Sequence, residues 1–250
     1  MHILMPLPNQ DFDPTESAVP WKMLTKAGHK VSFMTPTALV PTADERMVTG
    51  KGLGPLKFLL MANHEALAAY GQMRRAPEFL GPTSYDKVNP DRFDALLLPG
   101  GHAKGMKEYL ESSLLQDLTS QFFQKQKPIA AICHGVVLAA RSKKSDGSSV
   151  LSDLQTTSLL KSQELLAWTM TAAWLGSYYR TYPQTVEDEV RSVLARSDQF
   201  VTGPLPMARD TALDDRAGFA VKSGNYVASR WPGDAHRFSR VFLEMLAKGV

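Results

Sequence analysis

The chain has 250 residues, 28 of them basic and 25 acidic, for a net charge of +3, and 44% are hydrophobic. That is enough apolar material for one α/β domain with insertions, while the basic residues are dispersed, with Arg74-Arg75 and Lys143-Lys144 as the longest clusters, so nucleic acid finds no basic stripe. No apolar run nears the roughly 18 residues of a membrane span, Met1–Pro6 lacks the basic leader of a signal peptide, and the single cysteine excludes an intrachain disulfide, so the expected place is the cytoplasm.

In chain order, Ile3-Leu4-Met5 predicts a short buried strand, followed by a polar loop to Asp13. Asp13-Pro14-Thr15-Glu16 has the pattern of a helix start, with Asp as N-cap and Pro at the first helical position, and the helix runs to Ala27 before Gly28. Lys30–Met34 is a second strand. Residues 37–90 break the rhythm and read as an insertion without strands of its own, with a helix over Leu56–Gln72. The strand Ala95–Leu98 leads into Pro99-Gly100-Gly101 and a helix over Ser112–Gln126. The strand Ile129–Ile132 leads into a helix from His134 to Arg141. Helices are expected over Ser162–Leu175 and Thr185–Arg196 within a helical segment 160–200. Phe219–Ser229 forms a hairpin, and Phe238, Val241, Phe242 and Met245 mark the last helix. Short apolar strands alternating with helices mean a mostly parallel sheet with helices on both faces. Ligands of such sheets bind at the carboxyl ends of the strands, where strand order switches. Three unusual segments follow strand ends: the loop to Glu16, Gly100-Gly101, and Cys133.

Ala131-Ile132-Cys133-His134-Gly135 has the spacing of a nucleophile elbow, with small residues two positions either side of the cysteine. Its place at a helix start favours thiolate, although a lone cysteine after a buried strand can also be a plain core residue. Gly100 and Gly101 allow a backbone N–H to turn toward a neighbouring site, as an oxyanion pocket requires, or form an ordinary tight turn. Glu16 completes a capping box or, buried beside a thiol, has a raised pKa and passes protons. Pro20, four residues on, cannot donate to the carbonyl of Glu16, which leaves that turn partly open. His134 is a base by type, yet successive helical residues diverge by about 100°, so it is either the base or a structural histidine. His102 lines the pocket or serves as a metal ligand, but no ligand cluster surrounds it in sequence and no metal is expected. Trp168, Trp174, Tyr178, Tyr179 and Tyr182 are core or pocket wall. Gly50, Gly52 and Gly54 lack Walker order and read as loop.

Glu16 with Ala18-Val19-Pro20 and Ala27-Gly28, Leu98-Pro99-Gly100-Gly101, and Ala131-Ile132-Cys133-His134-Gly135 together resemble the ThiJ/PfpI superfamily over about residues 1–35 and 90–140. Gly224–Val227, Ser229-Arg230 and Pro232-Gly233-Asp234 resemble the closing hairpin and helix of its PfpI-type members. The superfamily includes the parkinsonism-associated deglycase, PfpI-type proteases, isonitrile hydratases and heat-shock glyoxalases, and shares the fold of class I glutamine amidotransferases. The resemblance implies a flavodoxin-like three-layer sandwich, a nucleophile at Cys133, and a hydrogen bond to it from Glu16. It also implies an oxyanion pocket of N–H groups near Gly101 and His134, and a homodimer. The departure is the acid that orients the histidine: the glyoxalase branch carries one some thirty residues after the cysteine, where this chain has Thr156–Leu159. Glu164 is the nearest acid there, and Asp234 is either an orienting acid or the cap of the last helix.

The leading expectation is a cofactor-free, glyoxalase III-like enzyme acting on a small-molecule carbonyl substrate such as methylglyoxal. An isonitrile hydratase, amidase or peptidase uses the same elbow, and a redox sensor or chaperone would use Cys133 as an oxidisable thiol.

Overall fold

Continuous apolar runs bounded by Pro and Gly build the centre of the sheet. The computed structural model describes residues 1–206 and 208–248. The chain opens with β1 (His2–Pro6), a short β2 (Gln10–Phe12) and helix α1 (Pro14–Lys26), then returns through β3 (Lys30–Thr35). Short elements follow: β4 (Thr42–Ala43), α2 (Glu45–Thr49), α3 (Lys57–Leu60), α4 (His64–Met73), α5 (Pro77–Leu80) and β5 (Thr83–Ser84). The alternation resumes with β6 (Ala95–Leu98), α6 (Met106–Leu110), α7 (Ser113–Gln124), β7 (Ile129–Ile132) and α8 (Gly135–Arg141). Helices α9 (Lys161–Leu175) and α10 (Val186–Ser192) precede the hairpin β8 (Ala220–Ser223) and β9 (Tyr226–Ser229), and α11 (Ala235–Ala247) closes the fold.

The seven-stranded sheet has the order β5-β3-β1-β6-β7-β9-β8, parallel throughout except for β8 against β9. From β1 the chain crosses to β3 on one side; from β6 it crosses to β7 on the other. Right-handed crossovers running in opposite directions place their helices on opposite faces. Accordingly α1 packs with α4 and α11, whereas α8 packs with α6, α7 and α10. This is the flavodoxin-like sandwich. β6 and β7 are buried at every position, as their unbroken apolar sequences require. Strand order reverses between β1 and β6, so the crevice opens at their carboxyl ends.

The insertion is less independent of the sheet than expected. β5 extends the main sheet beside β3, and β4 pairs with β2 in a separate two-stranded sheet. The helix expected over Leu56–Gln72 is broken: Met61 is extended, and Asn63 restarts α4 by accepting the Ala66 N–H. The helix expected to reach Arg196 stops at Ser192. No helix among the described residues is long and apolar enough to cross a membrane.

Candidate active site

Cys133 follows β7 with φ +57°, a left-handed conformation that costs a non-glycine residue about 1–3 kcal/mol. The turn is held by the Cys133 N–H donating to the Ser229 carbonyl at 3.0 Å. Close approach explains the glycines around it. A Cβ at Gly135 would stand 2.1 Å from the Leu98 carbonyl oxygen. At Gly100 it would stand 2.6 Å from a Glu16 carboxyl oxygen and 2.8 Å from the His134 nitrogen. The ends of β6 and β7 and the first turn of α1 therefore meet at one point, which brings Cys133, His134, Glu16, Gly100, Gly101 and His102 together.

Asp13 alone caps α1, its Oδ1 accepting from the Thr15 N–H at 2.7 Å and the Glu16 N–H at 3.0 Å. The capping box is not formed, because the Glu16 carboxyl turns inward instead, fully buried against the thiol and Gly100. It touches the thiol, yet neither oxygen reaches hydrogen-bond geometry with any described residue. Helix α1 runs through Pro20 without interruption. Burial, reinforced by Asp13, pushes the Glu16 pKa well up. Burial also raises the Cys133 thiol, with Glu16 and Asp13 adding to the effect and the His134 amide opposing it. The expectation that its place at a helix start favours thiolate is corrected here: desolvation by burial outweighs a short helix start. Glu16 and Cys133 titrate as a pair, since ionising one opposes ionising the other. Asp13 is itself raised to about 6 by burial.

His134 does face its neighbour, with Nδ1 3.4 Å from the Cys133 sulfur. The helical divergence of successive residues does not apply, because Cys133 lies outside α8 in a left-handed turn. On the far side of the ring, Nε2 lies 3.0 Å from the Thr181 hydroxyl, which donates its one proton to the His102 carbonyl at 2.6 Å. Thr181 must therefore accept from Nε2–H, and Nδ1 presents its lone pair to the thiol. Burial first, then His102 and Arg141, lower His134 to about 3, so the ring is neutral.

No acid orients this histidine among the described residues. Glu164 accepts from the Val186 N–H at 2.9 Å and pairs with Arg180 at 3.2 Å. Asp234 holds Arg230 through bonds of 2.9 and 3.0 Å and accepts from the Phe219 N–H; its side chain does not cap α11. Thr181 carried no signal in the sequence: it lies 47 residues from its partner, in the turn between α9 and α10.

Above Cys133 lies a cavity of about 250 Å³. Its floor is Cys133, Glu16, Gly101 and His102; its walls come from the insertion and from α9 with the turn after it. The His102 ring stacks on Tyr179 at 4.4 Å and meets Tyr178 edge-on at 4.8 Å, and burial lowers its pKa. Tyr179 is thus pocket wall, while Tyr182 binds Arg141 and Glu111, and the Trp174 indole donates to Gly52 in the glycine loop. A second cavity, of about 500 Å³ and including Asp11, Arg46 and Tyr178, contains none of the floor residues. Among the described residues, no three His, Cys, Asp or Glu side chains group as metal ligands do.

A family model described as ThiJ/PfpI family-like matches residues 7–204. "Deglycase PfpI" of Pyrococcus furiosus is 24% identical over 94% of this chain and 94% of its own length. "Glutathione-independent glyoxalase hsp3101" of Schizosaccharomyces pombe is 24% identical over 80% of this chain and 77% of its own. The structure of glyoxalase III from Candida albicans superposes with a TM-score of 0.64 over 98% of this chain and 97% of that one, at 15% identity, a likeness of fold.

Proposed function

The chain belongs to the ThiJ/PfpI family, and we propose that it is a cofactor-independent cysteine enzyme of the glyoxalase III type, converting small 2-oxoaldehydes to 2-hydroxy acids. The observation that carries this reading is the neutral His134 Nδ1 aimed at the Cys133 sulfur at 3.4 Å, with a buried, raised-pKa Glu16 on the same sulfur. His134 takes the thiol proton as sulfur adds to the aldehyde carbon, giving a hemithioacetal. Its oxygen rests near the amides around Gly101 and His134. Glu16, its carboxyl against the same sulfur, removes the proton from the former aldehyde carbon and delivers one to the adjacent carbonyl carbon. The product is a 2-hydroxy thioester, which water cleaves to the 2-hydroxy acid and free thiol. The former aldehyde carbon is oxidised as its neighbour is reduced, so no redox partner is required. That the Pyrococcus relative is named a deglycase and the fission yeast relative a glutathione-independent glyoxalase supports a glyoxalase-type reading. A redox sensor needs an exposed thiol of low pKa; Cys133 is 4% exposed and its pKa is raised, which favours the enzyme. Purified protein is expected to form lactate from methylglyoxal, and Cys133→Ala to form none. No turnover, or full turnover in Cys133→Ala, refutes the proposal.

A further inference from the structure

We infer that the substrate of this site is a 2-oxoaldehyde whose second carbonyl carries an apolar group much larger than methyl, with Arg209, Trp231 and Tyr179 receiving the oxygen of that second carbonyl. The inference deepens the reading above and rests on it.

Size is the first ground. A water molecule's share of the liquid is about 30 Å³, so the 250 Å³ cavity has room for several heavy atoms beyond methylglyoxal. The wall is the second. Gln163, Leu166, Ala167 and Met170 follow one another at i, i+3, i+4 and i+7, so a single stripe of α9 faces the cavity. Leu59 and Leu60 of the insertion line the cavity as well. Leu59 and Leu166 remain 60% and 59% exposed, an apolar rim that an apolar substituent would cover on binding.

The polar groups supply the third ground: beside the carboxyls of Asp13, Glu16 and Glu164, the cavity holds three donor side chains, Arg209, Trp231 and Tyr179. The Trp231 indole N–H lines the cavity, buried and without a partner among the described residues. The Tyr179 hydroxyl is equally orphaned on a side chain only 8% exposed. Arg209 has no carboxylate within salt-bridge distance among the described residues; it donates to the Leu59 carbonyl at 3.1 Å, and its guanidinium lies 5.6 Å from the Trp231 ring. The Gln163 amide can present either end. Donors left over in a buried pocket fit a ligand of acceptor oxygens. A cation among them fits the negative charge that builds on an enediolate and stays on a carboxylate product. Arg209 lines the same cavity as Asp13, Glu16 and Cys133, so its charge is available to the reacting end. The α9 stripe is left for the substituent.

Each buried methylene adds about a fourfold preference. The test compares kcat/KM of the wild-type enzyme for methylglyoxal and for 2-oxooctanal, and the affinities of lactate and 2-hydroxyoctanoate by calorimetry. The expected results are at least about a tenfold preference for the longer aldehyde and for the longer acid. Ala167→Phe should narrow both ratios, and Arg209→Leu should weaken 2-hydroxyoctanoate about tenfold while Arg209→Lys largely retains it. Turnover of methylglyoxal without any preference for length overturns the inference and leaves the glyoxalase reading standing. Preferential binding of 2-hydroxyoctanoate with neither aldehyde turned over overturns the glyoxalase reading itself.

Discussion

At the scale of single residues, the site depends on a proton held in the right place. Thr181 fixes the tautomer of His134 by having already given its own hydrogen to the His102 carbonyl. Thr181→Val removes the acceptor for Nε2–H without a large change in volume, so the ring is free to present N–H instead of a lone pair to the thiol. The expected outcome is a fall in kcat of about tenfold or more with KM nearly unchanged, restored in Thr181→Ser. A merely structural role would lower stability in both variants and leave the kinetic split absent. The ionisation of His134 also predicts a stability profile. Its pKa is lowered from 6.5 to about 3 in the folded chain, so the unfolded chain binds more protons between those values. Stability from this group is therefore complete above about 6.5 and is lost as pH falls toward 3, by an amount on the order of 5 kcal/mol. Asp13, raised to about 6, acts with the opposite sign over part of the same window. Denaturant unfolding of wild type and His134→Gln across this range should show a steeper acid loss in the wild type; parallel curves would contradict the assignment.

At the scale of elements, the pocket is assembled from two segments far apart in sequence. Residues 45–62 and helix α9 share a small apolar cluster around Met47, Leu53 and Tyr179, with Trp168 and Leu175 against it. The Trp174 indole and the Arg209 guanidinium donate to Gly52 and Leu59 in the same insertion. Leu53 is fully buried there, outside the main core. Leu53→Ala should cost about 2–3 kcal/mol locally and raise amide exchange in 45–62 and α9. The strands β1, β6 and β7 should keep their protection. Uniform loss of protection across the sheet would show that these segments are not a separable wall. This arrangement also explains what the sequence hid. The elbow was legible because its demands fall on residue type at fixed spacing around Cys133, even though the groups that crowd Gly135 and Gly100 come from Leu98 and Glu16, far away in sequence. The two short strands inside the insertion, Thr42–Ala43 and Thr83–Ser84, were hidden because two residues have no periodicity to detect, and both pair with strands outside it. Thr181, and the part of Tyr179, follow only from how α9 returns over the site.

At the scale of the whole molecule, the sheet order puts the reversal between β1 and β6, so α1 and α7 lie on opposite faces and the crevice opens between their strands. Alternating apolar strands and capped helices made this architecture readable from composition and pattern. Under the proposed function, substrate selection falls to the irregular segments that line the cavity, which pattern does not specify. The central claim joining the scales is that Cys133 carries the substrate covalently. Rapidly quenched turnover of a 2-oxoaldehyde, followed by intact-mass and peptide mapping, measures this directly. The expected result is an adduct equal in mass to one substrate molecule, on the peptide containing Cys133, that disappears as the 2-hydroxy acid accumulates. Acid formation at the wild-type rate in Cys133→Ala, with no adduct on that peptide in the wild type, would contradict it.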